Sequence, residues 1–394
     1  LKCTGHLEKP NFMSANWLDV IRKRKTCQIG IGPVSKNTVD AVIEVAHKTQ
    51  TQLMLIPSRR QVDSKALGGG YVEKWTTQSF AEYVRSKDRD KLVLLCRDHG
   101  GPWQNTVEID QNLSESEALK SCLQSFREDM DMGFHILHID SSVCPTGEAH
   151  FKTALKRLLY LYEACYEYAK KKKKNVAFEL GPESQKPEVI QPKKFKELIE
   201  YVKKKILAAR LPDPLFVVVQ TGTKVVETRN VGALNDPEKR AKASLQIEEL
   251  VSICNKQNVL IKAHNGDYLS DASLAALGRS GIGGINIAPE FGVVETRTLL
   301  ELFKKNKLKV CFDRFVQLTV ESGKWKKWMA PNTAATDLDR TVIAGHYLYA
   351  TDQFRALKDQ LALIYSKRGE SLDDILKNNI ALAIERYLKL FGAA

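Results

Sequence analysis

The segment KLVLLCRDHGGPW, residues 91–103, ends an apolar run with an acid and an imidazole side by side, Asp98 and His99. A second imidazole, His264, ends another apolar run, NVLIKAH at 258–264, with Asn265 and Asp267 just beyond it. Neutral imidazoles and carboxylates are good ligands for zinc and similar divalent ions. Such an ion can polarise a sugar carbonyl and stabilise an enediolate, and a neighbouring carboxylate can then move the proton. His99 and His264 are therefore the expected metal ligands, and Asp98 is the expected proton shuttle. A plainer role is open to each. Asp98 can bond the backbone of the turn that follows it, and His264 can be a satisfied core histidine.

The elements that must position these residues are legible as a repeat. Apolar runs of strand length stand at 27–32, 52–57, 92–96, 135–140, 175–180, 215–220, 258–264 and 282–288. Between them lie amphipathic segments such as 39–50, 114–133 and 243–257, with apolar residues three and four apart. Near-continuous apolar strands alternating with helices predict a parallel sheet covered by helices. Eight such units predict a (β/α)8 TIM barrel of the α/β class, in which chemistry sits at the C-terminal ends of the strands. A doubly wound open sheet is the alternative, although the Gly-rich turn expected after its first strand is missing.

The remaining strand ends extend the candidate site. The second run is followed by Ser58, Arg59, Arg60 and Gln61. The fourth closes on His138 and Asp140, the fifth on Glu179, the sixth on Gln220 and the eighth on Asn286 and Glu290. Arg59 or Arg60 would receive a phosphate or carboxylate, for which a planar fork is suited; a solvated loop pair is the plainer reading. Gln61, Asp140, Gln220 and Asn286 complete the expected substrate contacts. His138 precedes its strand end and is expected to be a buried histidine rather than a ligand.

Two parts lie outside the repeat. Residues 14–25 read as a short helix capped by Ser14 that would plug the bottom of a barrel spanning 1–310. Residues 311–394 read as a C-terminal helical extension that would pack on the barrel or on a partner subunit.

Composition narrows the function. The net charge is +13, but the lysines concentrate on helical segments such as 167–175 and 193–206. No RNP-like aromatic motif or zinc-finger spacing accompanies them, so solvated helix faces are expected and nucleic acid is not. No apolar run approaches the ~20 residues needed to span a bilayer, so no membrane partner is expected. The 8 cysteines form no CxxC pair, so no cysteine-based zinc site is expected and a reducing, cytoplasmic setting is. No apolar secretory signal opens the sequence.

Several of these stretches resemble one family. LLCRDHGG resembles the strand-end Asp-His-Gly of the class II, metal-dependent fructose- and tagatose-bisphosphate aldolases. LHIDSS, AFELG, KAHNGDY and GINIAPE resemble further segments of that family, in the same order. SRRQVDSKALGGGY, RDHGGP, VVVQTGT and KAHNGDY resemble more closely the accessory, non-catalytic subunit of tagatose-bisphosphate aldolase. The resemblance runs from about residue 25 to 310. It implies that His99 and His264 bind zinc, that Asp98 donates a proton, and that the Asn286 segment helps hold a substrate phosphate.

The chain also departs from the aldolase pattern. The second zinc-binding histidine, after the sixth strand, is absent, and Lys224 stands near its place. The phosphate-binding glycines after the seventh strand are replaced by Asn265-Gly266-Asp267-Tyr268. A third ligand must come from elsewhere; among Glu179, Asp140 and Gln220, Glu179 is the better donor. The expected function is a metal-dependent, class II aldolase-like lyase acting on a ketose or sugar phosphate, either as a homo-oligomer or beside an aldolase subunit. A catalytically silent stabilising subunit and a metal-dependent sugar epimerase or isomerase are the alternatives.

Overall fold

The computed structural model describes residues 17–23, 27–181 and 187–392. The proposed Ser14 cap lies outside them. All eight predicted strands form: β1 Gln28–Ile31, β2 Leu53–Leu55, β3 Val93–Gly100, β4 Ile136–Asp140, β5 Ala177–Gly181, β6 Phe216–Val218, β7 Leu260–Ala263 and β8 Gly284–Ile287. Each pairs in parallel with its sequence neighbours, and β1 pairs with β8, closing the barrel. The open-sheet alternative is thereby excluded.

The strands are apolar on both faces because both are covered. Outward residues such as Ile29, Leu55, Leu95, Ile139, Leu180 and Ile261 pack against the helices in the main core. Inward residues at the lower end, Met54, Leu94, Ile136, Ala177 and Phe216, form a separate apolar plug. Helix α1 (Trp17–Lys23) adds Ile21 to this plug, and Trp17 meets His135 at the start of β4 edge-on.

The barrel helices are α2 (Lys36–Thr49), α3 (Thr77–Lys87), α4 (Glu115–Asp131), α5 (Phe151–Lys171), α6 (Pro192–Ala208), α7 (Arg240–Lys256), α8 (Asp271–Arg279) and α9 (Pro289–Lys305). Several begin at the expected caps: Ser35 accepts from the Thr38 N–H, and Thr76 and Ser114 form capping boxes with Ser79 and Glu117.

Beyond α9 come α10 (Lys309–Ser322), α11 (Asp337–Ala344), α12 (Asp352–Ser366) and α13 (Leu372–Leu390). Helices α10 and α12 share a second core with the outer face of α9, built on Phe303, Phe315, Phe354 and Leu361. Helix α13 instead returns to the barrel. Its Ile380, Ile384 and Tyr387 belong to the main core with α2, and Lys48 on α2 reaches Glu385, 337 positions away. No described helix is long and apolar enough to cross a membrane.

Candidate functional site

Strand alternation decides what enters the barrel. Successive side chains point to opposite faces, so His138 and Asp140 point inward together on β4, as do Lys262 and His264 on and just past β7. Glu179 points inward from β5 and Asn286 from β8. These residues are buried above the apolar plug, in the layer where a barrel presents its chemistry.

On β3 the alternation is broken. Arg97 is opposite Leu137 and Gly100 opposite Ile139, so β3 spends one residue more than β4 across this interval. Such a bulge re-aims side chains. Here it brings both Asp98 and His99 to the cleft, with His99 in the left-handed region at φ 44°. Two glycines, Gly101 after this bulge and Gly181 at the end of β5, are needed for close approach. A Cβ on Gly101 would lie 1.6 Å from the Asp140 carbonyl oxygen, and one on Gly181 would lie 2.3 Å from Nε2 of His138.

Four donor atoms converge at this level. One ligand atom each of Asp98, His138, Glu179 and His264 lies within 4.8 Å of all the others. Nδ1 of His138 is 3.1 Å from Asp98 Oδ1 and 3.8 Å from Glu179 Oε1. Nε2 of His264 is 3.0 Å from Glu179 Oε1 and 3.9 Å from Asp98 Oδ1. These separations bracket the roughly 3.3 Å edge of a tetrahedron drawn with zinc–nitrogen bonds of about 2.0–2.1 Å.

Protons alone do not satisfy the cluster. His138 Nδ1 meets the His99 backbone N–H at 3.1 Å, a donor, and Asp98 Oδ1 at the same distance, an acceptor. His264 Nε2 likewise faces the Asn286 amide nitrogen at 3.1 Å and Glu179 Oε1 at 3.0 Å. A neutral imidazole nitrogen either donates or accepts, so each tautomer leaves one contact repulsive. His138 Nε2 and Asn286 Oδ1 are buried without partners. A cation drawing on the four lone pairs relieves the repulsion between each imidazole nitrogen and its carboxylate neighbour, and two imidazoles with two carboxylates are a donor set that suits a divalent N/O-binding metal. The residues present therefore fit a metal.

The surrounding charges set protonation. Lys262, itself buried, donates to Glu179 Oε2 at 2.6 Å. Burial opposes ionisation of Glu179, but Lys262 and His138 outweigh it and hold the carboxyl down at about 2. Burial likewise opposes the Asp98 charge, and His99, His264 and His138 hold it well below the usual carboxylate range. His99 sits at the rim with its side chain 44% exposed. Its Nδ1 pairs with Asp140 Oδ2 at 2.7 Å, and its Nε2 lies 3.7 Å from Asp98 Oδ2. Burial disfavours the imidazolium, but Asp98 and Asp140 raise His99 to about 9. His264, in contrast, is pushed down, chiefly by burial.

The other sequence candidates are distributed as follows. Asp140 is bound by His99, by Gln104 at 2.8 Å, and by Ser142. Asn286 bridges Asp98 and His264. Gln61 lines the cleft, and its Oε1 accepts from the Ser58 N–H at 2.9 Å. Gln220, just past β6, is buried, and its carbonyl accepts from Ile190. Arg59 was expected to meet an anion, but its guanidinium is committed to Asp63, Glu108, Ser125 and the Gly101 carbonyl, and its side chain is 1% exposed. Arg60, beside it, is exposed and lines the cleft.

Lys262 is the residue that attention to strand ends passes over, and His138 the one it reads as buried structure rather than as a ligand. Each lies two positions before an inward-facing strand-end residue, Asp140 and His264, so the period of two was the available signal.

Above the cluster opens a cleft of about 950 Å³. Its walls come from the β2–α3 loop, the β3–α4 loop, the ends of β7 and β8, and residues 323–328 and 346–347.

No family model matches this chain, and no curated protein matches it. Solved structures do match. A probable tagatose 6 phosphate kinase from Sinorhizobium meliloti superposes with a TM-score of 0.75 at 17% identity, covering 93% of this chain and 100% of that one. The chain shares its fold. Fructuronate-tagaturonate epimerase UxaE from Cohnella laeviribosi gives 0.59 at 14% identity, over 93% of this chain and 81% of that one. Fructose-bisphosphate aldolase from Campylobacter jejuni gives 0.55 at 11% identity, over 96% of this chain and 93% of that one. At these identities the likeness is one of fold alone.

Proposed function

We propose that this protein is a metal-dependent, class II aldolase-like enzyme that processes a ketose or sugar phosphate. The observation that carries the proposal is the convergence of Asp98, His138, Glu179 and His264 in contacts that no arrangement of protons on two neutral imidazoles satisfies. These four residues would hold the metal, zinc being suited to the donor set. When bound, the metal acts as a Lewis acid that withdraws electron density from a carbonyl oxygen. The names of the structural neighbours, which concern tagatose, fructuronate and fructose bisphosphate, support a sugar as the substrate.

The chain's own residues handle the proton. Aldol cleavage removes a hydroxyl proton as the C–C bond breaks, and later returns a proton to carbon. Asp98 stays ionised at neutral pH, with Oδ2 directed toward His99. His99 retains its proton, and Asp140 on Nδ1 fixes the ring so that Nε2 serves the cleft. The Asp98–His99 pair thus holds and passes a proton at the rim, while Lys262 keeps Glu179 ionised beneath it. Of the ligands expected from sequence, Glu179 and His264 stay in the proposed set, whereas His99, also expected there, stands outside the four-residue cluster because its ring turns to the rim and pairs with Asp140. His138 joins them, on β4, in a barrel whose sixth strand end carries no histidine.

The test is metal analysis of the purified protein together with a panel of ketoses, ketose phosphates and ketose bisphosphates. Stoichiometric metal and aldehyde-plus-ketone fragments, both lost in Asp98→Asn and His138→Ala, are expected. Solvent deuterium entering the sugar carbon without fragments would reassign the reaction to epimerisation. Metal-free protein and no turnover would return the chain to the silent-subunit alternative.

A further inference from the structure

In α/β barrels a substrate phosphate is often received by the loops after the last two strands and by a helix N-terminus there. Here that position is filled from within. Helix α9 has no side-chain cap of its own. The Asp267 carboxylate instead accepts from the backbone N–H groups of Ala288 and Glu290, both at 2.9 Å. Glu290 is in turn bound by the Tyr268 N–H and the Tyr387 hydroxyl. The helix end that would take an anion is therefore already occupied by a carboxyl group.

Elsewhere the cleft carries an unpaired positive wall. Arg60 from the β2–α3 loop and Lys324, Lys326 and Lys327 from the C-terminal extension line it. None of the four has a carboxylate partner among the described residues. The segment carrying the lysines is anchored: Trp325 and Trp328 pack with Val293 of α9 and Ile343, and the Trp328 carbonyl accepts from the Glu227 N–H at 2.7 Å. The Lys327 ammonium lies over the Trp328 and Tyr347 rings, 4.9 and 5.0 Å from their centroids, and the residue as a whole is exposed. Burial, and then Arg60, push this ammonium down to about 8. Two cations facing one space with no anion between them favour a ligand that supplies one.

We propose that Arg60 and Lys327, with Lys324 and Lys326 beside them, receive the anionic end of the substrate, a phosphate or a carboxylate, in place of the helix terminus occupied by Asp267. The proposal rests on the sugar-processing reading for the identity of the ligand, but it is tested by binding alone. Affinity is measured by calorimetry for fructose 6-phosphate, fructuronate and neutral fructose, on the full chain and on Lys327→Met and Arg60→Met.

At least one anionic sugar is expected to bind more tightly than fructose, and the better of the two identifies phosphate or carboxylate. Each variant is expected to weaken that binding about tenfold or more, as loss of a charge-assisted contact does, and to leave fructose affinity unchanged. Both substituted side chains are accessible, and circular dichroism checks that the variants fold. Equal binding of all three sugars, or anion affinity unaltered in both folded variants, overturns the proposal. Because binding is read without turnover, absence of cleavage would refute the enzymatic reading and leave this one standing.

Discussion

Two groups of buried charges stand side by side in this barrel, and they obey different rules. Behind the β2–α3 loop, Arg97 grips both oxygens of Asp129 at 2.6 and 2.8 Å and donates to the Pro57 and Val62 carbonyls. Arg59 similarly joins Asp63, Glu108 and the Gly101 carbonyl. Each of these contacts matches a donor with an acceptor. In the barrel mouth, Asp98, His138, Glu179 and His264 are equally buried, yet donors and acceptors compete for single nitrogen atoms. Burial and charge therefore do not distinguish a scaffold from a site; hydrogen-bond satisfiability does.

The largest expected effect tests the scaffold. Arg97→Met leaves Asp129 buried without its cation and should cost about 3–5 kcal/mol of folding stability, read by urea denaturation. A loss under about 1 kcal/mol would show that the satisfied network contributes little to folding.

Asp267 sharpens the contrast because it is a buried acid with neither arginine nor histidine beside it. Burial, and then Glu290, raise it to about 7. The unfolded carboxyl titrates near 3.9, so between about pH 4 and 7 the folded chain binds the extra proton. That contribution to stability is fully present below about pH 4 and is lost as pH rises through 7, by at most ~1.4 kcal/mol per pH unit. Asp267→Asn should show a flatter stability curve over this window. Parallel curves for variant and parent would refute the assignment.

In the mouth, His264→Gln should lower metal affinity by about 100-fold, at the upper end of what perturbing a metal site costs. Its stability with chelator present should stay within about 1 kcal/mol of the parent's. A collapse as large as that of Arg97→Met would place His264 in the scaffold. Asp140→Asn is the mildest case. It keeps the shape but weakens the hold on His99, so turnover should fall about tenfold and the basic limb of the pH profile, set by His99 near 9, should move to lower pH. An unmoved limb would detach His99 from the proton transfer.

The fold was legible because apolar runs of strand length and amphipathic helices repeat through the chain. The site was legible where a polar residue ends its run, as Glu179 and His264 do. Lys262 was missed, and His138 was read as a buried histidine rather than a ligand, because each lies inside an apolar run, and only the two-residue period places it in the barrel interior. The choice between Arg59 and Arg60 was not legible at all. It depends on which of two neighbours the loop turns inward, and that is fixed by Asp63, Ser125 and Glu108, the last two far along the chain. The lysines at 324–327 were visible as charge but not as a wall of the cleft, since their place follows from the packing of Trp325 and Trp328 onto Val293 and Ile343.

The return of α13 to α2 has a consequence for biosynthesis. Helix α2 leaves the ribosome long before the surface that covers it, Ile380 to Leu388. At translation speeds of about 5–20 residues per second, the apolar face of α2 waits tens of seconds for its partner. The nascent barrel is thus open along one seam until α13 has been made.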